Sequence, residues 1–384
     1  MLAIGNSKAR PNAVVSPRPE KSKIVELESL RGLAALLVVL NHIPLWTANS
    51  RGSNFVGNGY LMVDFFFVLS GFVICRNYIG KIKTGMALLR FQFLRFGRLY
   101  PVHLLMLFLF LILEASKYYL NSHTALKTTV AEPFSINTWN AFFQQLLLLQ
   151  AVGPTGNALT FNAPAWSISV EFYTYLVFAF VSAISGRWTT LVAASIAAAS
   201  VVLLQFFGIE TGYSEILRCF AGFFIGCCVS ALCSRTKAHY PASFAGLAIF
   251  AFALFLQLRT DRSFGGLVYL LSALVIFCVS CSKPGLVRTV LGARWLEWLG
   301  AISYSLYMSH WLVVYLFDQV LRRILKFPAG ANHVLKMPAD EAWLFSLLAV
   351  GVCLVCAYIM HRFVESPFRT RSRRFVLASE GRPI

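Results

Sequence analysis

Two residues of the first apolar stretch carry side chains suited to proton transfer and to anion binding. In LRGLAALLVVLNHIPLW, Arg31 and His42 stand eleven residues apart. On a helix this spacing corresponds to about 16 Å along the axis, so the two groups would lie near opposite ends of one membrane span. A neutral imidazole is a suitable general base near pH 7, and a guanidinium binds phosphate through forked hydrogen bonds. The pair predicts base chemistry at one end and anion binding at the other.

Two carboxylates stand near the ends of two other apolar stretches. Asp64 lies in GYLMVDFFFVLSGFVIC and Glu171 lies in AWSISVEFYTYL. Each is expected a little more than one turn below the outer surface, in the same layer as His42. Ionisable residues inside membrane spans are costly and are usually functional. We expect the three groups to share one cavity as catalytic residues, with Glu171, or alternatively Asp64, orienting the imidazole. A simple helix-dipole role is the other interpretation of Asp64.

A second group of cations precedes the third apolar stretch. In LLRFQFLRFGRLYP, Arg95 and Arg98 are three residues apart and share one helix face. Together with Arg31 they predict a cationic mouth at the cytoplasmic side that binds the phosphate of a phosphorylated substrate. Arg90, in the same segment, fits better as a positive topology signal.

Further polar and aromatic residues are candidates for substrate contact or support. In ISYSLYMSHW, three-residue spacing places Tyr304, Tyr307 and His310 on one polar stripe of a helix. Helix packing through the neighbouring serines explains the same stripe without any function. The remaining supporting candidates come from the start of the fourth stretch and are Trp166, Ser169 and Tyr173.

The elements that must position these residues are membrane spans. The chain of 384 residues is 58% hydrophobic and 13% charged, whereas soluble domains have roughly 45–50% and 25%. A spanning helix needs about 20 apolar residues. The sequence therefore predicts an all-α, polytopic membrane bundle. The run 139–153 is too short and is predicted to be interfacial or re-entrant. The predicted spans, about ten in number, are 30–47, 59–79, 99–117, 166–186, 188–208, 217–233, 242–258, 266–282, 299–320 and 342–364.

The basic residues orient this bundle. With the N-terminus in the cytoplasm, the inside segments hold 21 Lys and Arg residues and the outside segments hold 9. This bias follows the positive-inside rule and predicts that both termini are cytoplasmic. The net charge of +18 does not form a basic face, so we expect anionic lipid headgroups and no nucleic acid as partners. The predicted divisions are a cytoplasmic segment 1–29, a transmembrane domain 30–364 and a basic cytoplasmic tail 365–384.

The nine cysteines all lie within apolar stretches or at their ends. Two CxxC pairs, at 278/281 and 353/356, would place sulfurs one helical turn apart. Cysteine commonly serves as a small apolar residue in such surroundings, so we expect no metal site.

Six motifs, spread in order from about residue 24 to residue 369, give the sequence a family resemblance. They are LRGLAALLVVLNH, DFFFVLSGFVI, RFGR before LYP, WSISVEFY, ISYSLYMSHW and ESPFR. The sequence resembles the membrane acyltransferase-3 family, which includes bacterial polysaccharide and lipopolysaccharide O-acetyltransferases. The resemblance implies catalytic importance for Arg31 and His42, and importance for Arg95 and Arg98.

The same resemblance implies a reaction. Acyl-CoA, most often acetyl-CoA, would be the cytoplasmic co-substrate, with no permanently bound cofactor. The acceptor would be a hydroxyl of an extracytoplasmic glycan or lipid-linked saccharide, and the enzyme would lie in a bacterial inner membrane. Many relatives carry a C-terminal esterase-like domain, which is absent from this sequence. Its absence favours direct action on the sugar.

Several alternatives stay open at this level. Succinyl-CoA is a second candidate donor, and either direct transfer or an acyl-His42 intermediate fits the residues. A transporter of a lipid-linked sugar, an acyl group or a proton-coupled solute would also use intramembrane His, Asp and Glu. No inverted repeat supports that class. A purely structural assembly partner is the third interpretation.

Overall fold

The computed structural model describes residues 24–43, 53–124, 132–208, 212–236, 239–261, 265–328, 335 and 337–379. Within these ranges the chain is mostly helical, and an isolated β-bridge joins Tyr240 and Ser282. The helices are α1 (Val25–His42), α2 (Asn54–Gly57), α3 (Met62–Tyr78), α4 (Gly85–His123), α5 (Trp139–Leu146), α6 (Trp166–Ile184), α7 (Thr189–Phe207), α8 (Ser214–Arg235), α9 (Ala242–Leu258), α10 (Leu267–Cys281), α11 (Leu286–Leu291), α12 (Arg294–Arg323), α13 (Ala339–Met360) and α14 (Ser366–Ser379).

Apolar composition and length make this a multi-pass membrane protein, as the sequence predicts. Within the described ranges, α9 and α10 are shorter apolar helices, while α1 and α12 coincide with the remaining predicted spans. The all-α polytopic fold is confirmed, whereas the count of ten spans and the cytoplasmic termini stay predictions. Among the residues that the structure describes, six helical segments are long and apolar enough to cross a membrane: Gly59–Tyr78, Gly85–His123, Ala163–Ile184, Gly186–Phe207, Ser214–Arg235 and Ala339–Ser379.

Helix α4 differs most from its predicted span. The apolar run 99–117 is only part of a helix of 39 residues that begins at Gly85 and contains Pro101. At 1.5 Å per residue it is about 58 Å long, roughly twice the thickness of the hydrocarbon core. Thr84 caps its first turn by accepting a hydrogen bond from the Ala87 amide, at 3.2 Å. The helix includes Arg95 and Arg98, although hydropathy alone begins the span only at residue 99.

Other boundaries also move. Helix α1 begins at Val25, with Glu26 and Glu28 in its first turn, where acidic side chains favour a helix N-terminus. Residues 44–47 of that predicted span lie outside the described residues. Helix α5 has only eight residues, or about 12 Å, which is too short to cross the membrane as a helix.

Glycines allow α1 and α12 to touch along their backbones. A Cβ placed on Gly32 would lie 2.6 Å from the Gly300 nitrogen, and one on Gly300 would lie 2.2 Å from the Glu28 carbonyl oxygen. Small residues permit such close approach of membrane helices. The two helices run in the same direction here, because Arg31 meets Gly300 and His42 meets His310.

Helices α3 and α8 pack in the same manner. A Cβ on Gly71 would lie 1.8 Å from the Phe223 carbonyl oxygen, and one on Gly226 would lie 2.0 Å from the Val68 carbonyl oxygen. These contacts pack the backbone of α8 directly against that of α3. The candidate site lies where these two glycine-packed helix pairs meet.

Candidate active site

His42 is the last residue of α1 and faces a second histidine. Its Nδ1 lies 2.9 Å from the Val38 carbonyl oxygen and 3.3 Å from Nε2 of His310. The two imidazole centroids are 5.1 Å apart, and the ring of Trp311 stands edge-on to His42 at 5.3 Å. His310 is fully buried, whereas His42 is partly exposed. The structure thus brings together His42 and His310, which the sequence predicts separately as a catalytic and a supporting residue.

Carbonyl acceptors decide which nitrogens carry protons in the neutral pair. His310 Nδ1 lies 2.7 Å from the Tyr307 carbonyl oxygen, so it donates, and Nε2 keeps its lone pair. His42 Nδ1 donates to the Val38 carbonyl and faces that lone pair. The basic nitrogen of His42 is then Nε2. Protonation of His42 would leave Nδ1–H pointing at an uncharged acceptor, an arrangement that stabilises an imidazolium.

A cavity of about 150 Å³ opens beside His42. Three of the predicted residues line it, namely His42, Trp166 and Tyr307. The Tyr307 hydroxyl donates to the Pro164 carbonyl oxygen and accepts from Ser167, both at 2.9 Å. Aromatic walls with a few polar groups are typical of a site for a small organic substrate. The full lining is His42, Tyr60, Val63, Leu159, Ala163, Pro164, Trp166, Arg218 and Tyr307.

Asp64 does not line this cavity. Its carboxylate is 3% exposed and accepts two hydrogen bonds from Arg218, from Nε at 3.1 Å and from Nη2 at 2.8 Å. The Tyr269 hydroxyl donates a third, at 3.0 Å. The expectation that Asp64 could orient the His42 imidazole is therefore wrong in this geometry. The carboxylate instead positions a guanidinium.

Glu171 lies in a deeper layer than predicted. Its Oε1 accepts from the Ser70 hydroxyl at 2.6 Å and from the Tyr175 hydroxyl at 2.5 Å. Ser70 is six residues beyond Asp64 on α3, or about 9 Å along the helix. The expected shared layer with His42 is wrong for Glu171, because α3 and α6 align so that Glu171 faces Ser70. His310 lies beside the His42 imidazole, in the position that the sequence predicts for Glu171.

Ser169, Tyr173 and Tyr304 hold backbone segments in place. Ser169 and Tyr173 donate to the consecutive carbonyls of Leu148 and Leu147, at 2.6 and 3.0 Å. Tyr304 donates to the Leu99 carbonyl of α4 at 2.5 Å. These three predicted residues fix the loop after α5 and the α4–α12 contact, and they do not line the cavity.

The segment between α4 and α6 is anchored by buried polar groups. Buried Glu114 pairs with Lys117 and accepts from Asn137 at 2.8 Å and from the Phe134 amide at 3.1 Å. Buried Asn162 donates to the Met308 carbonyl of α12 at 3.0 Å. The loop that supplies Leu159, Ala163 and Pro164 to the cavity is thereby tied to the helices beneath it.

The predicted cationic residues gather at the other end of α1. Arg31 donates to the Gly300 carbonyl at 2.7 Å and to the Ser303 hydroxyl at 2.8 Å. It also pairs with Glu28 and interacts electrostatically with Arg98. Arg95 donates to the Tyr78 hydroxyl at 3.3 Å. Among the described residues, the buried Nε atoms of Arg95 and Arg98 have no hydrogen-bond partner.

Sequence reasoning missed the contribution of the C-terminal helix to this cluster. Arg369 interacts electrostatically with Arg98, Arg31 and Arg95. Buried Glu365 accepts from Ser305 at 2.7 Å. Both residues belong to the ESPFR motif, so the motif itself was the available signal.

A glycine explains how this helix reaches the arginines. A Cβ on Gly97 would lie 1.9 Å from the Ser372 hydroxyl, so α14 packs directly on the RFGR turn of α4. Part of the predicted basic tail is therefore a packed helix that continues α13 through the π-helical turn His361–Glu365.

Arg218 is the other missed residue. It stands inside an apolar run of α8, which was the only signal that hydropathy offered. Its guanidinium lies 4.9 Å from the ring of Trp166. Across the described part of the chain, no group of three or more His, Cys, Asp or Glu could hold a metal ion.

Residues 24–362 match the family described as the acyltransferase domain, which is most of the chain. The chain belongs to the membrane acyltransferase-3 family. This confirms the resemblance drawn from the six motifs. No solved structure matches the chain.

Three relatives of this family member align over nearly all of its length. It is 22% identical to a putative peptidoglycan O-acetyltransferase, YrhL, of Bacillus subtilis, over 91% of this chain and 55% of that protein. It is also 22% identical to the peptidoglycan O-acetyltransferase OatA of Listeria monocytogenes, over 92% and 57%. The acyltransferase MdmB of Streptomyces mycarofaciens is 27% identical, over 94% and 96%. The chain thus spans little more than half the length of the first two relatives.

Proposed function

We propose that the protein is an integral membrane O-acyltransferase, which moves an acyl group, most simply acetyl, from acyl-CoA to a hydroxyl of a glycan. One observation carries the proposal: α1 places a paired imidazole in a cavity at one end and an arginine cluster at the other. The two ends are about 16 Å apart along the helix. Membership of an acyltransferase family and relatives named O-acetyltransferases support the same reaction.

The arginine cluster, defined as Arg31, Arg95, Arg98 and Arg369, is suited to the phosphates of CoA. Guanidinium groups form short, charge-assisted hydrogen bonds with phosphate oxygens. The buried Nε–H groups of Arg95 and Arg98 have no hydrogen-bond partner among the described residues and can therefore donate to a phosphate. The positive-inside bias supports a cytoplasmic position for this cluster, on the side where acyl-CoA is available. The pantetheine arm would then run along α1 towards His42.

The histidine cavity is suited to an alcohol acceptor. His42 Nε2 would take the proton of a sugar hydroxyl as that oxygen attacks the thioester carbonyl carbon. His310 would steady the resulting imidazolium through its Nε2 lone pair. The thiolate of CoA leaves and recovers the proton, which gives an ester and a free thiol. Direct transfer needs no acyl-His42 intermediate.

The acceptor would enter from the side opposite the arginine cluster. Tyr60, Trp166 and Tyr307 supply aromatic surface around a polar site, as a sugar ring requires. Two relatives are named peptidoglycan O-acetyltransferases. A bacterial cell-surface glycan, or its lipid-linked precursor, is therefore the proposed acceptor, and the bacterial inner membrane the proposed location.

Reconstituted protein tests this function. Liposomes containing the protein would be supplied with labelled acetyl-CoA from outside and with soluble glycan fragments. Liposomes opened with detergent, in which both faces of the membrane are accessible, would be the control. Mass spectrometry should find an acetyl ester on the glycan that mild base removes. Succinyl-CoA in place of acetyl-CoA reports donor choice. Uptake of label without any covalent product would contradict the proposal and favour a carrier.

A further inference from the structure

Arg218 faces the His42 cavity although neither the motifs nor the proposed donor site uses it. Within the described residues it is the only Lys or Arg that lines the cavity. The side chain is 18% exposed, and its carboxylate partner Asp64 is 3% exposed. The guanidinium therefore reaches from a buried ion pair into open space beside the candidate base.

Two neighbours fix the orientation of this guanidinium, and a third residue holds one of them in place. Nε and Nη2 both donate to Asp64, at 3.1 and 2.8 Å, and Trp166 lies against the group at 4.9 Å. The Asp64 carboxylate is itself held by the Tyr269 hydroxyl at 3.0 Å. Nη1 makes no hydrogen bond to any residue that the structure describes. A rigid N–H donor is thus left for a ligand.

The charge around Arg218 favours a neutral oxygen over an anion as that ligand. Asp64 already compensates the positive charge, and Glu215 adds a further negative contribution. A free carboxylate or phosphate would gain little from such a neutralised pair. A fixed donor is instead most effective where negative charge develops during the reaction, because its orientation needs no further cost at that moment.

We propose that Arg218 donates a hydrogen bond to the carbonyl oxygen of the acyl group and stabilises the oxyanion that forms during transfer. This inference rests on the proposed acyltransferase function. As the acceptor oxygen bonds to the carbonyl carbon, the C=O π electrons move onto the oxygen held by Arg218, and His42 takes the hydroxyl proton. When these electrons re-form the C=O bond, the CoA thiolate leaves and takes the proton from His42.

An interhelical tie is the competing explanation for the Asp64–Arg218 pair. The pair does join α3 to α8, but the two helices already touch through Gly71 and Gly226. A tie also has no need of a guanidinium that reaches an open cavity. The guanidinium of Arg218 also lies against the ring of Trp166, which lines the cavity.

The test uses the full chain in detergent and measures two reactions, acetyl transfer to glycan and hydrolysis of acetyl-CoA by water. Both reactions develop negative charge on the same acyl carbonyl oxygen. Arg218→Gln should lower kcat for both by the same factor, about 10²–10³, the cost of one oxyanion donor. KM for acetyl-CoA and for glycan should stay close to the unsubstituted values. Arg322→Gln, which breaks an ion pair with Asp318 at the end of α12, is the matched control.

A double variant separates chemistry from folding. Arg218→Gln leaves buried Asp64 unpaired, so Asp64→Asn/Arg218→Gln removes that charge while keeping the shapes. Continued loss of kcat in the folded double variant supports the inference. Recovery of kcat would overturn it and leave a structural tie.

Two further outcomes are distinguishable. Loss of transfer with unchanged hydrolysis would overturn the inference, because Arg218 would then contact the acceptor alone. Hydrolysis without glycan transfer in the unsubstituted protein would refute the proposed acceptor, yet the Arg218 variants could still be compared. Absence of both reactions would overturn the proposed function and this inference together.

Discussion

At the His42 end of α1, His42 and Asp64 have fixed partners. His42 meets His310 and a carbonyl, and Asp64 meets Arg218 and Tyr269. At the Arg31 end, cations lie near one another, and two buried Nε atoms have no hydrogen-bond partner among the described residues. The first region has settled geometry and little net charge, whereas the second has spare donors and excess positive charge.

This difference separates two tasks. Proton transfer depends on distance and orientation, which paired side chains supply. Binding of a phosphorylated donor depends on charge and on unfilled donors, which a crowded set of arginines supplies. Variants in the two regions should therefore alter different kinetic constants.

The largest effect is expected from removing the base. His42→Ala should lower kcat for transfer by about 10³-fold, within the range typical of general base catalysis, without preventing membrane insertion. Radiolabelled transfer assays with purified protein would measure it. His123→Ala is the matched control, because that exposed imidazole also bonds the carbonyl four residues before it. Normal transfer by the His42 variant would remove this residue from the mechanism.

The arginine end should respond in donor binding. Arg98→Gln removes a cation from the cluster, so KM for acetyl-CoA should rise about 10–100-fold, as loss of a charged hydrogen bond implies. The change in kcat should be much smaller. Raised ionic strength should increase the KM of the unsubstituted protein by screening the same charges. Arg187→Gln, in the turn before α7, is the control, and an unchanged donor requirement would leave Arg98 as a topology signal.

The second imidazole should matter through its lone pair. His310→Phe removes the acceptor that faces His42 Nδ1, and kcat should fall about 10-fold or more, because a hydrogen bond to a charged imidazolium is lost. His310→Gln keeps an acceptor oxygen and should retain more activity than the Phe variant. Equal activity of the two variants would contradict a hydrogen-bonding role for His310.

The smallest effect is expected at Glu171, where the two regions approach. Glu171→Gln keeps an acceptor for Ser70 and Tyr175, so kcat should stay within about fivefold of its original value, a cost near 1 kcal/mol. A pH–rate profile would accompany the assay. A fall in kcat as large as that for His42 would place Glu171 back with the imidazole.

Local patterns predicted most of the helices. Apolar runs near 20 residues located the spans because each run must satisfy its own backbone hydrogen bonds in lipid. The same patterns place the start of the third span at residue 99, because the charges of Arg95 and Arg98 interrupt the apolar run before it. Helix α4 continues through them because α14 packs on Gly97, and because the turn before α14 supplies Glu365 near Arg98. Hydropathy contains no term for such a neighbour.

The sequence by itself determined the class of protein, the helical stretches and the separation of Arg31 from His42 along one helix. Each of these depends on composition or on the fixed rise of a helix. Only the tertiary structure decided that His310 faces His42, that Asp64 holds Arg218 and that Glu171 lies in a deeper layer. Those contacts join residues about 100 to 270 positions apart. They depend on the rotation and offset of each helix, which close-packed glycines help to set in the α1–α12 and α3–α8 pairs.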